Sequence, residues 1–255
     1  LLGIQAAGWL TVSSLQETMQ GTLITQNYLL AGGLWLAGMY AYLYSDIVVR
    51  RVGIYTMLAA VCMIMSEVTV VYAFINREGL IVVLALTAMA ATVLQSKVAA
   101  KNQKFSRAVP PLAMALSGLP VLIGLGLFIR ATSPMVGEMA GAYDIRWPFV
   151  VSMLFVAGAN RVSAYATRHS SPAWSGTYFF VSAAALIVTA AGLLRTLGVV
   201  AWHEQAPWLM LIPLAYMAAS RLWRGHSPAE PLYWVAQAST AVILFHVAAA
   251  AAISV

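Results

Sequence analysis

Apolar residues fill this chain in blocks, and almost every block is as long as a bilayer is thick. A helix needs about 20 predominantly apolar residues to cross the hydrocarbon core of a membrane. Eight stretches meet or approach that length: about 27–49, 52–75, 79–96, 108–129, 147–166, 175–197, 207–222 and 231–254. Inside lipid every backbone N–H and C=O must find a partner within the protein, so such stretches fold as helices. The expected fold is all-α, a polytopic membrane helical bundle of about eight transmembrane helices. Two blocks are weaker. The seventh is short and carries Pro213, and the third ends against the basic run Lys97, Lys101, Lys104 and Arg107, so the pattern admits seven to nine spans.

Composition agrees with the blocks. Of the 255 residues 62% are hydrophobic and 9% charged, whereas soluble domains carry about 25% charged residues. A net charge of +6 would suit nucleic acid if the cations shared one face. They lie instead at the block ends, so no nucleic-acid partner is expected. The single cysteine, Cys62, sits in an apolar block and reads as a small buried hydrophobe.

Charge at the block ends sets an orientation. The connections after blocks one, three, five and seven hold Arg50 and Arg51; Lys97, Lys101, Lys104 and Arg107; Arg161 and Arg168; and Arg221 and Arg224, ten of the 14 basic residues. The opposite side has Arg77, Arg130, Arg146 and Arg195, along with the acids Glu78, Glu138, Asp144 and Glu204. Lysine and arginine concentrate in cytoplasmic loops. The basic turns are therefore expected in the cytoplasm of a plasma or bacterial inner membrane, with both termini on the other face. Residues 1–26 are expected to be an external segment or the tail of a missing upstream element, since the chain opens on Leu1 without a signal peptide of its own. Residues 27–254 make one transmembrane domain, with halves 27–129 and 147–254 on either side of the longest connection.

Two of the basic turns resemble each other. Ser163, Arg168, His169-Ser170, Pro172 and Tyr178 recur in order as Ser220, Arg224, His226-Ser227, Pro228 and Tyr233, with fainter versions at Ser45–Arg51 and Ser96–Lys101. This pattern predicts four tandem helical hairpins pointing the same way, related by an axis along the membrane normal, and a quasi-fourfold bundle. Arg168, His169, Arg224 and His226 are candidates for binding anionic lipid head groups at these turns. The plainer account has the cations stabilise helix C-termini while Ser-Pro starts the next helix.

Ionisable side chains within a span are expensive and mark functional candidates. Glu67 and His246 each stand about fifteen residues past the cytoplasmic start of their blocks, hence at similar depth. If the hairpins close into a ring, the two meet as an ion pair or a protonatable hydrogen bond; otherwise each meets a local need. In block four, Ser117, Gly118 and Pro120 either open the helix into a binding site, as broken helices do in transporters, or kink it. The small polar residues Ser66, Thr69, Thr87, Ser152, Asn160, Ser182, Thr189, Ser239 and Thr240 either line a solute path or let helices pack closely.

No HExxH, GxSxG or glycine-rich phosphate loop occurs, and no mid-span lysine stands in the last helices to hold a retinal. No catalytic residue, metal ligand or cofactor is assigned. The expected function is that of a non-enzymatic multi-pass membrane module, the anchoring, assembly or sensing part of a larger protein or complex. Its partners would be the lipid bilayer, anionic lipid at the cytoplasmic turns, and other membrane subunits or missing parts of the same chain. The alternative is a small-solute or proton-coupled ion transporter using Glu67 and His246.

Overall fold

A computed structural model describes residues 21–49, 53–98, 103–132, 143–226 and 229–253. Among the described residues are eight α-helices and no strand. They are α1 (Gly21–Tyr44), continued by a π-helical turn (Ser45–Val49), α2 (Gly53–Phe74), α3 (Arg77–Val98), α4 (Gln103–Thr132), α5 (Trp147–Thr167), α6 (Pro172–Thr196), α7 (Trp202–Leu222) and α8 (Ala229–Ile253). Among the described residues, five helical stretches are long and apolar enough to cross a membrane: Ile54–Phe74, Arg77–Lys97, Pro110–Thr132, Trp147–Thr167 and Pro172–Thr196. The chain is a multi-pass membrane protein. Arg50, Arg51, Lys101, Ser227 and Pro228 lie outside the described residues, as do positions 133–142 of the longest connection.

The helices are sorted as lipid requires. Large apolar side chains point outward, with Leu122, Tyr165 and Val242 each about two-thirds exposed, where acyl chains would cover them. Small and polar residues point inward. On α5 the buried face repeats at helical spacing as Phe149, Met153, Val156, Asn160, Ala164 and Thr167, and on α6 as Ser175, Tyr178, Ser182, Ala185, Thr189 and Gly192. These two faces meet along most of their length. Small residues let the backbones approach, and at Gly192 the approach is tight enough that a Cβ would lie 2.7 Å from Cε1 of Phe149.

Neighbouring helices pack most extensively as α1 on α2, α3 on α4, α5 on α6 and α7 on α8. A central group forms from α3, α4, α5 and α6, where α3 also packs on α5 and α4 on α6. Around it Ile81, Leu127, Phe128, Phe149, Met153 and Val156 form the largest apolar core. The α1–α2 pair has its own small core of Ala31, Trp35 and Cys62 and reaches the centre through contacts of α2 with α3 and α4. The last pair reaches it through α6. A ring would need extensive packing between the first and last pairs, and among the described residues there is none. The quasi-fourfold closure expected from the sequence is thus replaced by a central group flanked at different helices by two outer pairs.

Local chemistry explains several boundaries. Pro148 and Pro172 occupy the first turns of α5 and α6, where a missing N–H costs nothing. Gly198 ends α6 with φ +91°, its N–H donating to Arg195 and that of Val199 to Leu194, the doubly bonded left-handed cap that favours glycine. The two similar turns differ in build. Thr167–Ser171 closes with the Ser171 N–H donating to the Thr167 carbonyl at 2.8 Å, whereas 222–226 uses Gly225 at φ +86°. On the opposite side, Tyr143 donates to Glu78 at 2.6 Å and Arg195 donates to the Ala131 carbonyl at 2.6 Å. These bonds tie the ends of α3 and α4 to their neighbours.

Candidate functional site

Glu67 lies on α2, half-buried, and its carboxylate accepts a hydrogen bond from the Thr87 hydroxyl on α3. Its immediate neighbour on α2, Ser66, donates to the Gly32 carbonyl on α1 at 3.0 Å, and Thr69 donates to Met65 and Ser66 of its own helix. The acid is therefore held between two helices by a neutral hydroxyl. His246 is on the helical backbone of α8, and its side chain lies outside the described residues.

A second polar group runs through the centre. Ala113 of α4, Ala164 of α5 and Tyr178 of α6 pack together, with Ala91 of α3 against them, and so mark one level across four helices. Tyr178 is fully buried and donates to Oε1 of Gln95 at 3.2 Å. One turn further along α4, α5 and α6, on the same faces, stand Ser117, Asn160 and Ser182, all buried. Ser182 donates to the Ala157 carbonyl at 2.8 Å, binding α6 to α5. Asn160 donates to Val156 of its own helix at 3.0 Å. Nε2 of Gln95, Oδ1 of Asn160 and Oγ of Ser117 have no hydrogen-bond partner among the protein atoms. Buried polar atoms in that state are uncommon, and three fall on neighbouring levels of one helix group.

Of the two readings of Ser117, Gly118 and Pro120, a break or a kink, the helix is continuous: α4 runs through all three and through Pro110 and Pro111. Pro120 has no N–H, so the Leu116 carbonyl loses its helical partner, but neighbours hold the helix in register. Pro120 is buried, and a Cβ on Gly118 would meet nothing within 4 Å. The backbone there does not unwind into a site of free carbonyls and amides.

At the basic turns Arg168 and His169 are exposed, and Nε of Arg168 donates to Nε2 of His169 at 2.8 Å while its guanidinium lies 4.1 Å above the Tyr165 ring. Arg224 and His226 are exposed as well, on a turn in which the His226 N–H donates to Trp223 at 2.9 Å. Ser171 precedes Pro172 as the N-cap of α6 but makes no side-chain capping bond. Two hydroxyls tie this turn, that of Ser175 donating to the Ala164 carbonyl at 2.7 Å and that of Ser170 donating to the Thr167 carbonyl at 3.4 Å.

The sequence pattern marks Tyr178 only as part of the repeated turn and does not mark Gln95 at all. Gln95 stands next to the Ser96-Lys97 turn and reads as a polar helix end, and no periodic pattern links it to a tyrosine 83 residues on. Fold and site together define a class, that of multi-pass helical membrane proteins with a packed, sparsely charged interior. No family model, curated protein or solved structure matches the chain.

Proposed function

We propose that this chain is a non-enzymatic multi-pass integral membrane module, the anchoring, assembly or sensing part of a larger protein or complex. One observation carries the reading: the polar side chains inside the apolar helices are occupied by their own backbone or by a neighbouring helix. Thr92, Ser152, Thr167, Thr189, Ser239 and Thr240 donate to carbonyls one turn back on their own helices. Ser66, Ser175, Ser182 and Tyr178 donate across helix boundaries. In this reading α1, α7 and α8, at 24, 21 and 25 residues, also cross the bilayer. That gives eight spans in four tandem hairpins, with the basic turns in the cytoplasm, both termini outside, and anionic lipid at Arg168, His169, Arg224 and His226. Purified protein in liposomes tests the function. It should show no solute- or proton-linked flux at any pH between about 5 and 8, where a histidine would titrate. Flux that Glu67→Gln abolishes would overturn it.

A second reading has specific support. A half-buried carboxylate on Thr87, and three buried polar atoms without protein partners at the centre, suit a small-solute or proton-coupled transporter. Glu67 and His246 would be its coupling groups, with Ser117, Gly118 and Pro120 beside the path. Exchanging Glu67 and His246 tests whether they meet. Loss in each single variant without recovery in the exchange removes that pairing.

A further inference from the structure

A groove of about 600 Å³ opens on the lipid-facing side between α5, α6 and α7, with Leu232 of α8 at one end. Its far end is lined by Leu154, Leu186 and Ala215, and its near end, toward the basic turns, by Arg161, Phe179 and Trp223. Seven residues separate Leu154 from Arg161, so the groove runs about 10 Å along the helix axes. The size is that of a small-molecule site, yet its chemistry is that of an amphiphile: largely apolar, with one cation at one end and its two lining hydroxyls, Ser182 and Tyr216, already donating to the Ala157 and Ala183 carbonyls. Arg161 is six residues from the end of α5, about 9 Å below the helix end, and its guanidinium lies 4.1 Å from the Phe179 ring centroid. The ion pair found among the described residues, Arg146 with Asp144, is on the other side, so no carboxylate is seen to neutralise Arg161. A cation at that depth is costly, and a ring face offsets only part of the cost.

We propose that this groove binds the headgroup-proximal part of one acyl chain of an anionic phospholipid, whose phosphate sits on Arg161. The apolar end takes the chain, the guanidinium takes the phosphate as a charge-assisted hydrogen-bonding partner, and Trp223 sits at the headgroup level as interfacial tryptophans do. Arg168, Arg221 and Arg224 lie at the same end of the helices and concentrate anionic lipid near the mouth. The site needs only that α5, α6 and α7 lie in a bilayer; it holds for either proposed function and either orientation.

Native mass spectrometry of the detergent-solubilised full chain tests this, with phosphatidylglycerol, phosphatidylcholine and oleate of matched chain length as competing probes. The expected result is one retained phosphatidylglycerol per chain, preferred over phosphatidylcholine. Arg161→Gln should lower that preference by roughly tenfold, the loss of one charge-assisted contact. Gly158→Leu fills the groove from a position where a Cβ meets nothing within 4 Å and should remove the bound lipid while leaving Arg161 in place. Arg168→Gln and Arg224→Gln should keep it. Equal binding of phosphatidylcholine, oleate binding as tightly as phosphatidylglycerol, or loss in the turn variants but not in Gly158→Leu would each overturn the proposal. If Arg161→Gln fails to fold, Gly158→Leu decides alone.

Discussion

Adding one methyl group at Gly192 tests the close approach of α5 and α6. A Cβ there would lie 2.7 Å from Cε1 and 2.9 Å from Cδ1 of Phe149, and 3.7 Å from Cγ2 of Val150. Ordinary contact begins near 3.4 Å, so ring or helix must shift by several tenths of an ångström. Phe149 has no room to retreat, being fully buried in the main core and edge-on to Tyr143 at 6.2 Å. Overpacking of this kind costs about 1–3 kcal/mol. Replacing glycine by alanine in a helix returns about 1 kcal/mol at either position, so Gly192→Ala should be less stable than Gly158→Ala by about 1–3 kcal/mol, a difference of roughly five- to 150-fold in the unfolding constant. Reversible unfolding in mixed micelles, followed by far-UV circular dichroism, reads this directly. Gly158→Ala is the control, since its Cβ meets nothing within 4 Å, and it should be neutral or stabilising. Shortening the ring in Gly192→Ala/Phe149→Leu should recover part of the loss as a favourable coupling. If Gly192→Ala is as stable as Gly158→Ala, the helices are not in the contact described.

Three further outcomes follow from other parts of the molecule. Tyr178→Phe leaves Gln95 unpaired at both ends and should cost about 0.6–1.7 kcal/mol in the same unfolding assay, the range for hydrogen bonds between membrane helices; no change would mean the bond is not made in the bilayer. Thr87→Val strips Glu67 of its hydroxyl donor, so Thr87→Val and Glu67→Gln should be non-additive in a double-mutant cycle, and strict additivity would separate the two residues. Burial, and then the hydrogen bond and charge of Glu78, push the Tyr143 phenol up from its ordinary value. Above about pH 10 the unfolded chain therefore releases this proton while the folded chain keeps it. Stability contributed by Tyr143 is complete below that pH and falls as pH rises beyond it, so Tyr143→Phe should flatten the alkaline limb of the stability profile. An unchanged limb refutes the assignment.

Helices were legible because hydrophobic blocks are strong signals, and their ends less so because lipid thickness and helix length are different quantities. The block expected from about 108 belongs to a helix that starts at Gln103, since Gln103, Lys104 and Arg107 propagate a helix perfectly well outside the hydrocarbon. Likewise α1 reaches back to Gly21 and α7 to Trp202. Ser117-Gly118-Leu119-Pro120 reads as a breaker by local propensity alone. In the fold, packing of α4 on α3 and α6 outweighs the one hydrogen bond that Pro120 removes. Of the site, Glu67 was visible because a carboxylate in an apolar block is conspicuous. Its partner Thr87 was visible only as one small polar residue among many. Gln95 with Tyr178, and Gly192 with Phe149, depend on which helices become neighbours, and periodicity within a helix does not encode that.

In the proposed arrangement of spans, alternate connections emerge on one face of a bilayer. Cysteine accessibility in oriented membrane vesicles tests this, using the full chain with Cys62→Ala to remove the native thiol. Arg168→Cys and Arg224→Cys should react with a membrane-impermeant maleimide from the cytoplasmic face alone, and Arg146→Cys and Arg195→Cys from the opposite face alone. Labelling of Arg168→Cys and Arg195→Cys from the same face would mean that α6 does not cross the membrane, and the arrangement of spans would be wrong.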